Sequence, residues 1–309
     1  MNALTTVLAA VDFSDCSKAA LRQAVRIARW NDATLHVLHV IERALEDLLE
    51  SSGLSNWQKI TGDINDRRRI ALDTFTAEVA GENKTFVDVR SGHPVRTLIE
   101  TVRSTMADVL VMGMHSADRA GAGPLATAAI RSAPTKVLLV HEKHEGKFRR
   151  IVAAVDFSET SKRALLQAIR IAQQDGAPLE IVNIFPTARP EMAFVGNPLG
   201  IWPVDWQTVF TSWQLMRDSI VPNLRTFTKD FEPEMTQLQV RYHAAEADSH
   251  GDGLVTFAKD HDADLVVLGT RGKTNLRYMF MGSTAERVVR DTPCSILAVK
   301  PEKFSVGIE

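Results

Sequence analysis

The amino-acid sequence predicts an α/β protein of two tandem domains, each with a parallel β-sheet between layers of helices. The chain has 309 residues, which is enough for two domains that each bury a core. The residues VLAAVDFS at 7–14 return as IVAAVDFS at 151–158, so the sequence contains an internal repeat. In both copies, short apolar runs alternate with amphipathic helical patterns, which is typical of a parallel sheet covered on both faces.

The repeat extends to the end of each copy. ADVLVMG at 107–113 matches ADLVVLG at 263–269, and IRSAPTKVLLV at 130–140 matches VRDTPCSILAV at 289–299. The offset between the copies grows from 144 to 156 and then 159 residues, so the second copy gains residues before its fourth strand and in the loop after it. We predict a first domain over 1–143, a linker over 144–150, a second domain over 151–301 and a tail over 302–309.

Each element follows from its local pattern. An apolar run leads into Asp-Phe-Ser in both copies, and the serine, Ser14 or Ser158, can cap the helix that follows. The predicted strands are 4–11, 34–41, 85–90, 109–112 and 136–140, then 151–155, 179–185, 238–243, 265–268 and 295–299. The helices after the first strands span 18–30 and 162–174, and the region 43–78 is charged and helical.

Composition excludes several classes of protein. Hydrophobic residues make up 45% and charged residues 24%, as in globular proteins, and the net charge is −2. We therefore expect no nucleic-acid or membrane partner, and no stretch reaches the roughly 20 apolar residues that a membrane helix needs. The first residues lack the pattern of a signal peptide. Two cysteines do not indicate a disulfide scaffold or a zinc site, and we expect a cytoplasmic protein.

A glycine-rich segment in the second copy, 265–290, predicts a phosphate-binding loop. A strand ends at Gly269, Gly272 follows, and Gly282-Ser283-Thr284 opens a helix. Glycine lets the backbone approach a ligand, while free N–H groups and the helix dipole favour a phosphate at a helix N-terminus. The cations Arg271 and Lys273 follow the same strand. A capping box of Ser283 and Glu286 would explain those two residues without any ligand, but not the three glycines.

With these residues in place, the sequence resembles the universal stress protein family over nearly its whole length. The family's ATP-binding members carry Gly-x2-Gly-x9-Gly-Ser/Thr, which this sequence matches from Gly269 to Ser283. The resemblance implies two Rossmann-like domains of the adenine nucleotide alpha hydrolase type, each with a five-stranded parallel sheet. It also implies ATP, often with magnesium, as the ligand. The predicted binding residues are Asp156, Ile184, Leu268, Gly269, Arg271, Gly272, Gly282, Ser283 and Thr284.

By that resemblance, Asp156 lies near the adenosine and Ile184 contacts the adenine. Gly269 and Gly272 approach the ribose and phosphates, and the Gly282 turn holds the phosphate chain. Family domains pair through their last strands, so fusion supplies that pairing within one chain, and a further homodimer is possible.

The first copy departs from the motif. Gly113 is kept, but Ser116 replaces the second glycine, only six residues separate it from Gly123, and Pro124 replaces the serine. Proline removes a hydroxyl and an N–H yet suits the first position of a helix. We predict weak or absent ATP binding there, although Asp12 is retained.

Other candidates have simpler explanations. His36 and His39 are three apart on a strand and face opposite sides, so we do not expect them to share a metal. Histidines and aspartates over 243–264 lack a standard ligand spacing. Cys294 is expected to be a small buried residue. The segment 186–213, rich in Trp and Pro, is either packing over the sheet edge or a lid or partner surface beside the adenine position.

These observations favour a cytoplasmic tandem stress protein that binds ATP in its second domain for signalling or stress response rather than turnover. No general base is evident near the phosphates. Two alternatives remain: a slow ATPase or phosphotransferase, and a nucleotide-free scaffold that binds a protein or an apolar ligand.

Overall fold

The computed structural model describes residues 4–53, 55–81, 84–115, 121–187, 206–272 and 281–302. Ten strands form one sheet in the order β3-β2-β1-β4-β5-β10-β9-β6-β7-β8. In the first half the strands are β1 Thr6–Ala10, β2 Thr34–Glu42, β3 Thr85–Gly92, β4 Val109–Gly113 and β5 Lys136–Val140. In the second half they are β6 Ile151–Ala154, β7 Leu179–Pro186, β8 Val240–Ala247, β9 Leu265–Gly269 and β10 Ser295–Val299.

Helices cover both faces of this sheet. In the first half they are α1 Asp15–Asn31, α2 Ala44–Ser51, α3 Trp57–Ala80, α4 Pro94–Ser104 and α5 Pro124–Ser132. In the second half they are α6 Glu159–Asp175, α7 Trp206–Thr228, α8 Glu232–Met235, α9 His250–Asp260 and α10 Ser283–Asp291. Within the described ranges, no helix combines the length and apolar character needed to cross a membrane.

Each half is a five-stranded parallel sheet, and the two sheets join where their last strands pair. Neighbouring strands run parallel within each half. The β5 and β10 strands are antiparallel, with Ile296 opposite Leu139 and Ala298 opposite Val137. The predicted α/β fold and the pairing of the last strands are therefore confirmed. One core lies on each face of the sheet, and both cores continue across this junction.

The local signals that start the helices work as predicted. The Ser14 side chain accepts a hydrogen bond from the backbone N–H of Ser17, and Ser158 accepts one from Ser161, both at 3.1 Å. Both helices begin earlier than their apolar pattern because the capping serine, not the first leucine, sets the boundary. The third strand of the second half also differs from its prediction. It runs over Val240–Ala247 because it pairs with β7 as far as Pro186.

A loop of the first half rests on a helix of the second. The Ala122 N–H donates to the Val289 carbonyl at 2.9 Å, near the end of α10. Gly121 has a φ of +76°, and a Cβ there would stand 1.7 Å from the Arg290 carbonyl oxygen. Gly123 lies two residues away, where a Cβ would meet nothing closer than 3.8 Å.

These glycines give a matched pair of substitutions. We expect Gly121→Ala to lower the free energy of unfolding by about 2–3 kcal/mol. The new Cβ would clash with the Arg290 carbonyl, and alanine is strained at a positive φ. Gly123→Ala should change it by less than about 0.5 kcal/mol. Urea unfolding of both variants tests this, and equal stabilities would contradict the contact between Gly121 and α10.

A buried lysine of the second half contacts a helix of the first half. Lys300 follows β10, is 4% exposed, and donates from Nζ to the carbonyl of Ile130 in the last turn of α5. Burial lowers the pKa of this ammonium from 10.5 to about 7, and the nearby charge of Arg271 acts in the same direction.

The lowered pKa of Lys300 predicts a pH dependence of stability. Between pH 7 and pH 10.5 the unfolded chain holds the proton and the folded chain releases it, so the folded state gains stability as pH rises. We expect wild type to gain about 2 kcal/mol between roughly pH 7 and pH 9 relative to Lys300→Met. Urea midpoints across that range measure the difference, and parallel curves for the two proteins would refute the assignment.

Candidate functional site

A cleft opens in the second half at the carboxyl ends of β6, β7 and β9. Its volume is about 870 Å³. The chain leaves β6 for β7 on one side and places β9 on the other, so the cleft lies at the switch point where open α/β sheets bind ligands. All nine residues predicted to bind the nucleotide lie in this region. Eight of them line the cleft, namely Asp156, Ile184, Leu268, Gly269, Arg271, Gly272, Ser283 and Thr284.

The turn after β6 fixes Asp156. Its Oδ1 accepts hydrogen bonds from the Ser158 N–H at 3.0 Å and the Ser158 Oγ at 2.5 Å. Between them Phe157 has a φ of +63°, a strained value for a non-glycine residue. The other oxygen, Oδ2, would be 2.6 Å from a Cβ on Gly272. A side chain at position 272 would therefore require the Asp156 carboxylate to move.

Helix packing explains Gly269. A Cβ on Gly269 would lie 2.9 Å from Cγ2 of Thr160, because the first turn of α6 rests on the end of β9. The first half repeats this arrangement, since a Cβ on Gly113 would lie 3.0 Å from the backbone of Cys16. The strand-ending glycine thus serves the fold in both halves, whether or not a ligand is present.

Gly282 has no such packing requirement. It precedes α10 with φ −72° and ψ 153°, which any residue can adopt, and a Cβ would come no closer than 3.6 Å to the Thr270 oxygen. No side chain in the described part of the chain caps this helix. The alternative explanation by a capping box is therefore wrong: Ser283 is the first helical residue, and the Glu286 carboxylate contacts Arg131 at 2.5 Å instead of returning to the cap. The first N–H groups of α10 have no partner within the helix.

The other wall of the cleft is apolar. Ile184 is 8% exposed and packs over Gly253, where a Cβ would lie 2.7 Å from its Cγ2. Opposite it, α7 contributes Met216, Ile220 and Phe227. These α7 residues belong to no motif, so the sequence patterns did not predict them. Their spacing of four and then seven residues on a helix could have revealed them.

Asn183 is a further residue that the motif did not show. Its side-chain N–H donates to the Val155 carbonyl at 2.7 Å and so holds β7 against the turn of Asp156. His39 has the same place in the first half, with Nδ1 2.9 Å from the Val11 carbonyl. Because a carbonyl only accepts, Nδ1 carries the proton. His36, on the opposite face, stacks on Phe86 at 5.1 Å.

Several predicted features lie partly or wholly outside the described residues. Lys273 and Ser116 do, as does most of the Trp- and Pro-rich segment, over 188–205. From that segment Trp213 is described. Its Nε1 donates to the Pro186 carbonyl at 3.2 Å, and its ring lies 6.0 Å from that of Phe185.

The histidines and aspartates of 243–264 have separate partners. His243 contacts Glu180 at 2.6 Å through Nε2, Asp252 pairs with Arg287 at 2.5 Å, and Asp262 pairs with Arg150 at 2.6 Å. Cys294 is 1% exposed, as expected. In the first half, Pro124 is the first residue of α5 and Gly123 its cap.

This geometry defines a class of protein. It is a tandem α/β protein with a cleft at the switch point of its second half, where such sheets bind ligands. A sequence profile of the universal stress protein family matches residues 4–141, 147–201 and 228–300. The chain therefore belongs to the universal stress protein family, in its tandem two-domain form.

Relatives of similar length support the tandem form. A universal stress protein of Mycolicibacterium smegmatis is 24% identical over 304 residues, covering 96% of this chain and 97% of its own. Universal stress protein E of Photorhabdus laumondii is 22% identical, with 98% and 97% covered. The crystal structure of a universal stress protein from Archaeoglobus fulgidus shares the fold, with a TM-score of 0.66, 17% identity, and 96% and 97% of the two chains covered.

Proposed function

We propose that the protein binds ATP in the cleft of its second half. The observation that carries this proposal is the start of α10. Among the described residues no side chain caps the helix N-terminus that faces the cleft, and the glycine before it is required neither by its backbone angles nor by a described neighbour. A phosphate chain explains both features, because it accepts from the N–H groups of the first helical turn and needs a close approach of the backbone. Ser283 and Thr284 add hydroxyl donors.

The remaining surfaces of the cleft fit the rest of an adenine nucleotide. Ile184 and Leu268 offer apolar surface for a purine ring, and Asp156 presents a carboxylate that can accept from ribose hydroxyls. Arg271 supplies a positive charge on the phosphate side. Among the described residues that line the cleft, Asp156 is the one carboxylate. Magnesium would therefore enter with the nucleotide and be held mainly by phosphate oxygens and water.

Binding without rapid turnover suits a role in stress response or signalling. The Asp156 carboxylate already accepts two hydrogen bonds from Ser158, which stabilise its ionised form, so it is a poor general base. One observation favours slow hydrolysis or phosphotransfer as a second function: His250, at the start of α9, lines the same cleft. ADP formation above background that is lost in His250→Ala would support that function.

Calorimetric titration of the full chain with ATP and magnesium tests the proposal. We expect one ATP per chain. Well-folded protein that takes up no ATP would refute the proposal and favour a scaffold. In that case the exposed side chains on α7, Phe210 and Leu215, would be the surface to test for binding a protein or an apolar ligand.

A further inference from the structure

A second group of ligand-type side chains lies in the first half, at the position that corresponds to the cleft. Cys16 is in the first turn of α1, His115 lies two residues beyond β4, and Glu142 lies two residues beyond β5. One ligand atom from each side chain lies within 4.8 Å of the other two. Cys16 is 2% exposed and His115 8%.

The equivalent positions in the second half carry no cysteine, histidine or carboxylate. The repeat places Thr160 opposite Cys16, Arg271 opposite His115 and Pro301 opposite Glu142. The structure supports this alignment, because Cys16 packs on Gly113 as Thr160 packs on Gly269. The first half therefore differs from the second at all three positions. It is also the half whose sequence departs from the phosphate-binding motif. These three positions differ together, and two of the three side chains are buried.

The donor set has a definite chemical preference. A thiolate, an imidazole and a carboxylate together suit a borderline divalent cation, and zinc takes all three in four-coordinate sites. The Cys16 Sγ lies 4.0 Å from His115 Nδ1. Zinc bond lengths place sulfur and nitrogen ligands about 3.5 Å apart in a tetrahedral site, so small side-chain rotations close the site.

A neighbouring histidine or a water can supply a fourth ligand. The ring of His141 lies 5.5 Å from that of His115, edge to face. Either this imidazole or a water can complete the tetrahedron. Without metal, the Cys16 thiol donates to the Val140 carbonyl at 3.3 Å. Metal binding replaces that hydrogen bond with a sulfur–metal bond and releases the thiol proton to solvent.

We propose that Cys16, His115 and Glu142 bind a zinc ion in the first half. The ion would join the start of α1 to the ends of β4 and β5. Glu142 lies in the segment 141–150 that leads to the second half. In this segment the His144 ring and the His141 N–H both contact the Ser295 hydroxyl of β10, at 2.9 and 3.0 Å. The metal would thus stabilise the connection between the two halves. It would do so at the position in the first half that corresponds to the proposed nucleotide site of the second.

Metal titration of the full chain tests the site. Protein stripped with a chelator and free of nucleotide is titrated with zinc in competition with a chromogenic chelator, and with cobalt(II) as a spectroscopic probe. We expect one equivalent of zinc and, with cobalt, a sulfur-to-metal charge-transfer band with the intense visible bands of a tetrahedral site. Cys16→Ser should weaken zinc binding at least about 100-fold and remove the charge-transfer band, since it deletes a ligand.

Cys294→Ser is the matched control. Its thiol is equally buried, in the second half, and contacts Thr292 at 3.5 Å, so this variant should bind zinc and cobalt as wild type does. His115→Gln should weaken zinc binding while keeping the charge-transfer band. Well-folded wild type that takes up no zinc would overturn the proposal, as would cobalt spectra without the thiolate band or equal zinc affinity in wild type and Cys16→Ser.

Discussion

Gly282→Asp is expected to abolish ATP binding while leaving the protein folded. The position has an ordinary extended backbone, and a Cβ meets nothing within 3.6 Å, so the side chain fits. Aspartate is also a more favourable N-cap residue for α10 than Gly282, which has no side chain to accept from the first N–H groups. The same carboxylate occupies the place proposed for the phosphate chain. Like charges in such contact cost several kcal/mol, so the affinity should fall about 100-fold or more.

Gly123→Asp is the control for this substitution. Gly123 caps α5 with φ −67° and ψ 170°, and a Cβ there comes no closer than 3.8 Å to its neighbours. Both variants therefore place aspartate at an open cap position of equivalent helices. Calorimetry should show one ATP per chain for wild type and Gly123→Asp and none for Gly282→Asp. Retained affinity in Gly282→Asp, or loss in both variants, would rule out a single site at α10.

The sequence predicted the fold well because its signals are local and repeated. Ser14 and Ser158 start their helices, and alternating apolar segments mark the strands in both copies. The position of the cleft followed from the same pattern, since Gly269 ends a strand and the Gly282 turn opens the next helix. One local pattern was misleading. Ser283 and Glu286 fit a capping box, but the backbone of α10 does not adopt one, since Ser283 is the first helical residue.

Contacts between distant segments could not be predicted in this way. Cys16 and His115 are 99 residues apart, and nothing in either segment indicates that they meet. The apolar wall from α7 is another case, because the spacing of Met216, Ile220 and Phe227 can indicate one face of a helix but not that this face lines the cleft. Such features depend on the packing of whole elements, which no short pattern encodes.

Asp175→Ala is expected to be the most destabilising of the substitutions proposed for the junction between the halves. The Asp175 side chain is fully buried at the end of α6, where the helix dipole disfavours a negative charge. Two interactions compensate. Arg26 of the first half donates from both terminal guanidinium nitrogens, Nη2 at 3.1 Å, and the Phe148 N–H donates at 2.8 Å. Removing the carboxylate leaves the largely buried Arg26 charge without an ionic partner, because Gln23, which also accepts from Arg26, is neutral.

Urea unfolding should show a loss of about 3–5 kcal/mol for Asp175→Ala. The contrast is Glu286→Ala, which breaks the Arg131–Glu286 pair across the same junction. That pair is nearly half exposed, so its loss should cost less than about 1 kcal/mol. If Asp175→Ala cost no more than Glu286→Ala, the buried pair would not hold the halves together.

Asp175→Asn separates the charge from the hydrogen bond at this position. In the first half the equivalent residue is Asn31, whose Oδ1 accepts from the Leu4 N–H at 3.4 Å just as Asp175 accepts from Phe148. An amide therefore suits the local geometry, and Asp175→Asn should be less destabilising than alanine. Combining Arg26→Met with Asp175→Asn should then recover part of the loss, because no buried charge is left unpaired. Recovery in the double variant would show that the junction depends on charge pairing rather than on the backbone contact alone.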